Sequence, residues 1–150
     1  MGALYGYFAA ADDDDALRAV DRDHDQPSGT GYDQVVVKGI DPVVDLLPAE
    51  VRLTSRPADE VRADPRHGSL VGTAEEGELM VVSLTDALRD GLATHDPRSL
   101  CDVATGWAST EGAFHGPADP EDLTGFLERL SEVAGRAVTR GAGPYCWICP

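Results

Sequence analysis

The chain has 150 residues, the usual size of one domain and enough to bury roughly 70% of the surface its unfolded form exposes. Its 27 acidic residues against 12 basic ones leave a formal charge of −15, which repels nucleic-acid phosphates and anionic lipid heads and favours encounter with a basic protein. No apolar run approaches the ~20 residues of a membrane span, and the opening MGALYGYFAAADDDD lacks both a basic signal region and, with Gly6 at its sixth position, a myristoylation pattern.

Residues 3–9, ALYGYFA, are aromatic and apolar and predict a strand. Asp12 to Asp15 then precede Ala16, Leu17, Ala19 and Val20, where the cap and first turn of a helix favour negative charge. Residues 21–31, DRDHDQPSGTG, collect Pro, Gly and acids and predict an exposed loop. Val35, Val36 and Val37, between Tyr32 and Gly39, predict a strand covered on both faces. In IDPVVDLLPAEV, Asp41 as cap and Pro42 at the first helical position predict a helix that Pro48 limits to about two turns. A second short helix is expected from Pro57 to Ala63.

Gly77 introduces ELMVVSL, a strand, after which Thr85 or Ser83 caps a helix carrying Leu84, Leu88 and Leu92 on one stripe. Asp96 and Pro97 repeat the cap-plus-proline signal for a helix with Leu100, Val103, Ala104 and Trp107 on one face. Asp119 and Pro120 repeat it again for the strongest helical pattern, Leu123, Phe126, Leu127, Leu130, Ala134 and Ala137. Arg136 and Arg140 fall in its last turn, before Gly141. Together these elements predict one α+β domain over 1–150: a mixed or antiparallel sheet of about four or five strands with helices packed on it, closed by a long amphipathic helix and a C-terminal strand.

The chain ends in GPYCWICP, where Cys146 and Cys149 have the C-x-x-C spacing of redox centres and half zinc sites. A redox pair sits where a loop enters a helix, which lowers the thiol pKa, yet Pro150 leaves no helix to follow. Tyr145 to Cys149 favour a strand instead, in which the two α-carbons would stand ~10 Å apart with their side chains on opposite faces. A disulfide needs less than about 7 Å. Zinc would need a second ligand pair, such as Cys101 with His115, whose spacing matches no known knuckle. An odd count of three cysteines suits a reducing compartment, and the expected location is cytoplasmic.

Asp21, Asp23 and Asp25 have the spacing of the first ligands of a calcium loop, but Gln26 replaces the turn glycine and Tyr32 the bidentate Glu, so a solvated loop containing His24 is expected and no metal site. His67, His95 and His115 form no metal or catalytic pair, and no metalloprotease, hydrolase or phosphate-loop motif is present, so no cofactor is expected. WASTEGAFHG, residues 107–116, offers Trp107, Thr110, Glu111, Phe114 and His115 as a candidate binding loop, with Glu111 and His115 as catalytic candidates. The competing reading puts Trp107 and Phe114 in the core, as large aromatics usually are.

The opening MGALYGYFAA, followed at once by an acidic helix start, resembles the MG-x-x-GYF-type start of the YfbM-like family of small bacterial proteins. That family also closes with a long amphipathic helix feeding a short strand, as LTGFLERLSEVAGRAVTRGAGPYCWICP does. The resemblance covers both chain ends and implies an α+β fold of unassigned activity, with no catalytic residue to carry over. The residues themselves point to a non-catalytic cytoplasmic binding or accessory protein, of the immunity type, whose acidic surface meets a basic protein and neither nucleic acid nor membrane. The alternative is a small hydrolase working through carboxylate and histidine acid–base chemistry.

Overall fold

Alternation along the strands divides the apolar side chains between two faces of one sheet. In β1 (Leu4–Ala10), Tyr7 and Ala9 are buried on one face, and Phe8 and Ala10 on the other. The computed structural model, which describes residues 3–22, 34–74, 77–110 and 118–150, pairs β1 with β2 (Gln34–Lys38) on one side and β5 (Gly143–Cys149) on the other. β4 (Leu79–Ser83) joins β5, and β3 (Leu70–Ala74) closes the far edge. The order is β2-β1-β5-β4-β3 and every neighbouring pair is antiparallel, so the fold is α+β with one five-stranded antiparallel sheet.

Helices cover the two faces unequally. On one side α6 (Pro120–Arg140) crosses β1, β2 and β5, with α4 (Asp86–Thr94) and α5 (Pro97–Ala108) against it. There, α2 (Leu47–Thr54) packs on α4 and α5 and carries α3 (Ala58–Ala63). Tyr7, Val82 and Cys146 of the sheet meet Leu88, Leu100, Trp107 and Phe126 in this larger core. On the opposite face α1 (Asp13–Arg22) packs on β1, β3 and β4, enclosing Phe8, Val81, Tyr145 and Trp147 with Ala16 and Val20.

Caps act where the sequence places them. Thr85 Oγ1 accepts from the Leu88 N–H at 3.1 Å, Asp96 Oδ1 from Ser99 at 2.8 Å, and Asp119 Oδ1 from Glu121 at 2.9 Å. Gly141 ends α6 in the left-handed region, at φ 70°, and the Ala142 N–H reaches back to Ala137 O at 2.8 Å, a closure that a side chain at position 141 would strain.

Aromatic groups fasten the layers. Phe126 packs between Tyr7, at 5.4 Å edge-on, and Trp107, at 6.2 Å. The polar ends of Tyr7 and Trp107 donate to Ile40 O (2.6 Å) and Asp45 O (2.8 Å), pinning the 40–46 turn to the core. On the other face the Trp147 indole lies across Gly6 of β1, where a Cβ would stand 2.0 Å from the ring. Its Nε1 donates to Gln34 Oε1 of β2 at 2.9 Å, so one side chain spans three strands.

Two expectations are corrected, and one strand has no counterpart among them. β2 is an edge strand: Val35 is buried beneath α6, whereas Val36 on the opposite face is 37% exposed. Residues 42–45 form a turn, with Asp41 Oδ1 accepting from Val43 and Val44, and Pro48 opens α2 where it had been expected to end a helix. A proline lacks the N–H that a helix interior needs but the first turn does not. Finally, β3 gives little sign of itself, because Leu70 is 63% exposed, Gly72 lies under Leu17 of α1, and the register with β4 shifts between those two positions.

The tail is the strand expected. Cys146 is buried in the larger core and Cys149 packs toward the smaller one, and both are free thiols. Native protein is expected to be modified rapidly by a thiol reagent at exposed Cys101 and at Cys146 only on unfolding; fast labelling of Cys146 would mean that the tail leaves the sheet. Gly6→Ala is expected to lose about 1–3 kcal/mol in urea denaturation through collision with the indole. Adding Trp147→Phe should cost less in that background than in the wild type, since the ring collision is then already relieved.

Candidate functional site

The four aspartates at the start of α1 exceed what one helix cap requires. Asp15 Oδ2 accepts from the Ala11 N–H (3.0 Å) and Asp12 Oδ1 from the Asp15 N–H (2.8 Å), a reciprocal cap that leaves Asp13 and Asp14 for other partners. Asp13 takes up two of them. Its Oδ1 accepts from the Tyr145 hydroxyl at 2.7 Å and from Arg66 Nη2 at 2.9 Å, and its Oδ2 from Arg66 Nη1 at 3.3 Å. The guanidinium also lies 5.6 Å from the centre of the Tyr145 ring. Arg66 is held from behind, its carbonyl accepting from Ser83 Oγ at 2.8 Å and its N–H donating to Asp64 Oδ1 at 2.8 Å.

Around this network opens a groove of about 520 Å³, lined by Asp12, Asp13, Asp14, Arg66, Asp86, Arg89 and Tyr145 with the Gly141–Gly143 turn. It lies where the N-terminal ends of α1 and α4 meet the C-terminal end of α6. Arg89 donates to Ala142 O at 3.0 Å and to Asp90 Oδ1 at 2.9 Å, which ties α4 to that turn. Beside Arg89 and Tyr145, a small apolar cleft between α4 and α6 is lined by Leu88, Leu92, Leu130, Val133 and Ala137.

The electrostatics make this network static. The Arg66 guanidinium and then the Tyr145 hydroxyl hold the Asp13 carboxyl below the usual carboxylate range. Burial, and next the hydrogen bond to Asp13, push Tyr145 up to about 12. The hydrogen bond to Asp13 raises Arg66 further. Near neutrality all three keep their protonation states, a pattern suited to fixed-charge recognition and unsuited to proton transfer.

The residues singled out in the sequence lie elsewhere. Trp107 is 0% exposed in α5, within the larger core. Thr110 closes the end of that helix, its Oγ1 donating to Gly106 O at 2.9 Å. Glu111, Phe114 and His115 lie outside the described residues, as do Asp23, His24 and Asp25. His95 ends α4 with Nδ1 2.6 Å from Gly91 O. His67 has a buried Nε2 with no hydrogen-bond partner among the described residues, and burial pushes its pKa down. Among the described residues no three His, Cys, Asp or Glu side chains stand close enough to hold a metal, and no helix is long and apolar enough to cross a membrane.

The groove itself was not legible in the sequence, because Asp13 is 53 residues from Arg66 and 132 from Tyr145. The acid run was its one visible trace. Tyr145→Phe is expected to lose about 1 kcal/mol, a modest figure because Asp13 and Arg66 are part-exposed and screened. Asp13→Asn should destabilise at neutral pH. Because the folded pKa of Asp13 is depressed, its contribution is present above the unfolded value and disappears as pH falls through the folded one. Wild type and Asp13→Asn should therefore converge in urea denaturation as pH falls below the ordinary aspartate range.

No protein-family model matches the chain, and no curated protein matches it. Among solved structures it is similar to one described as "The Crystal Structure of a Protein of Unknown Function YfbM from Escherichia coli", at 14% identity and a TM-score of 0.45, over 97% of this chain and 99% of that one. Similarity at that level assigns this chain neither a family nor an activity.

Proposed function

We propose that this protein is a non-catalytic cytoplasmic binding or accessory protein, of the immunity type, that receives a basic segment of a partner protein in the acidic groove. The observation that carries this reading is the state of the charges there. Asp12, Asp13, Asp14 and Asp86 line the groove against two arginines, Arg66 paired with Asp13 and Arg89 shared between Asp86 (3.9 Å) and Asp90 (2.9 Å), so acids outnumber bases there. The formal charge of the lining is therefore negative; the C-terminal end of α6 adds to it, and the N-terminal ends of α1 and α4 offset part of it. The overall charge of −15 steers a cationic segment toward any part of the surface, so the reading requires the groove to matter more than the average acid.

Fluorescence anisotropy with a labelled arginine- and lysine-rich peptide tests this directly. The triple variant Asp12→Asn, Asp14→Asn, Asp86→Asn is expected to bind about tenfold more weakly. A control of equal charge change at exposed positions outside the groove, Asp102→Asn, Glu121→Gln, Asp122→Asn, should stay within about twofold of wild type. Equal losses in the two variants would reduce the effect to net charge and overturn the reading, as would affinity indifferent to salt.

A further inference from the structure

Glu50 occupies an environment opposite to that of Asp13. In the first turn of α2, it is 1% exposed, the most deeply enclosed charged side chain among the described residues. Its Oε2 accepts from the Thr85 hydroxyl at 2.7 Å, and Thr85 Oγ1 in turn accepts from the Leu88 N–H as the N-cap of α4. The hydroxyl proton is thereby committed to Glu50, and the acid on one helix fixes the cap of another.

The charges around Glu50 do little to neutralise it. Arg56 and Asp64 are the charged groups whose fields reach it, and they pair with each other at 3.3 Å. Arg56 also lies 3.5 Å from Glu60. From α4, Asp86 and Arg89 line the groove. Arg52, on Glu50's own helix, lays its guanidinium against Gly106 of α5. No ion pair to Glu50 stands among the described residues. A carboxylate enclosed with one neutral donor is heavily penalised, whereas the protonated acid is tolerated and keeps an oxygen to accept from Thr85.

We propose that Glu50 is a pH-sensitive latch between α2 and α4: neutral, it stays enclosed against Thr85 at the cap of α4, and ionised, its cost of burial outweighs the stronger hydrogen bond to Thr85 and loosens the α2–α3 unit. Burial raises the carboxyl above its ordinary range, against smaller opposing effects of the Thr85 hydrogen bond and Arg56. A group raised on folding contributes stability that is full below its unfolded pKa and is lost as pH rises through the folded one. The latch is therefore closed in mild acid and weakens toward and above neutrality.

Glu50→Gln separates this from the general repulsion of an acidic chain, because Gln keeps the size and the carbonyl acceptor but cannot ionise. The melting temperature of Glu50→Gln relative to wild type is expected to climb as pH rises from about 4.5 to about 8. Amide exchange protection in α2 should be severalfold higher in the variant at the upper pH, with α6 protection unchanged. A difference independent of pH, or protection altered evenly through the protein, overturns the proposal. Should the variant fail to fold, a carbon-13 titration of the Glu50 δ-carboxyl in the wild-type protein decides: an inflection above the ordinary glutamate range supports the latch, and one within that range sinks it.

Discussion

The first and last described strands of the chain are hydrogen-bonded neighbours in the middle of the sheet, with register pairs running from Leu4 opposite Cys149 to Ala10 opposite Gly143. Each face of this pair anchors one core: Tyr7 and Cys146 on the α6 side, Phe8, Tyr145 and Trp147 on the α1 side. Closing nearly the whole chain into a single loop carries an entropic cost that grows slowly with length, and the β1–β5 contacts that reward it form only when both ends have met. The Trp147 indole over Gly6, reaching Gln34, adds side-chain area at that junction and extends it to β2.

Once β1 and β5 are joined, the position of the groove follows from connectivity. β1 runs into the N-terminus of α1, and α6 runs through Gly141 into β5, so the start of one helix and the end of another are brought to the same end of these two central strands. The Arg66 turn crosses to them by way of its hydrogen bond from Ser83 on β4. Tyr145 belongs at once to the smaller core, stacked 5.8 Å from Phe8, and to the polar network through its hydroxyl. Packing thus sets the geometry of the charges.

Two acids show how surroundings assign different roles to similar side chains. Asp13, partly exposed and paired with Arg66, has its carboxyl pulled below the ordinary range; Glu50, enclosed and facing a hydroxyl, has its carboxyl pushed above it. Both lie in the first turns of helices, where sequence alone would assign each to the favourable end of a helix dipole. Distance to a cation and access to water separate them.

The sequence by itself determined the elements whose signals are local. Asp96 with Pro97, Asp119 with Pro120, Thr85, and Gly141 all act within a turn of the residues they cap, and the alternation in ALYGYFA and YCWIC is complete within each strand. The same adjacency made the separation of the Cys146 and Cys149 side chains legible. Pro48 was ambiguous because a proline marks a helix boundary without saying which end, and β3 was silent because its glycine answers to Leu17 on a distant helix. Only the tertiary structure decided that β2 is an edge, that Trp107 is enclosed, and that Asp13, Arg66 and Tyr145 converge. Those facts depend on contacts between residues far apart in the chain, and a pattern read over a few neighbouring positions carries no information about them.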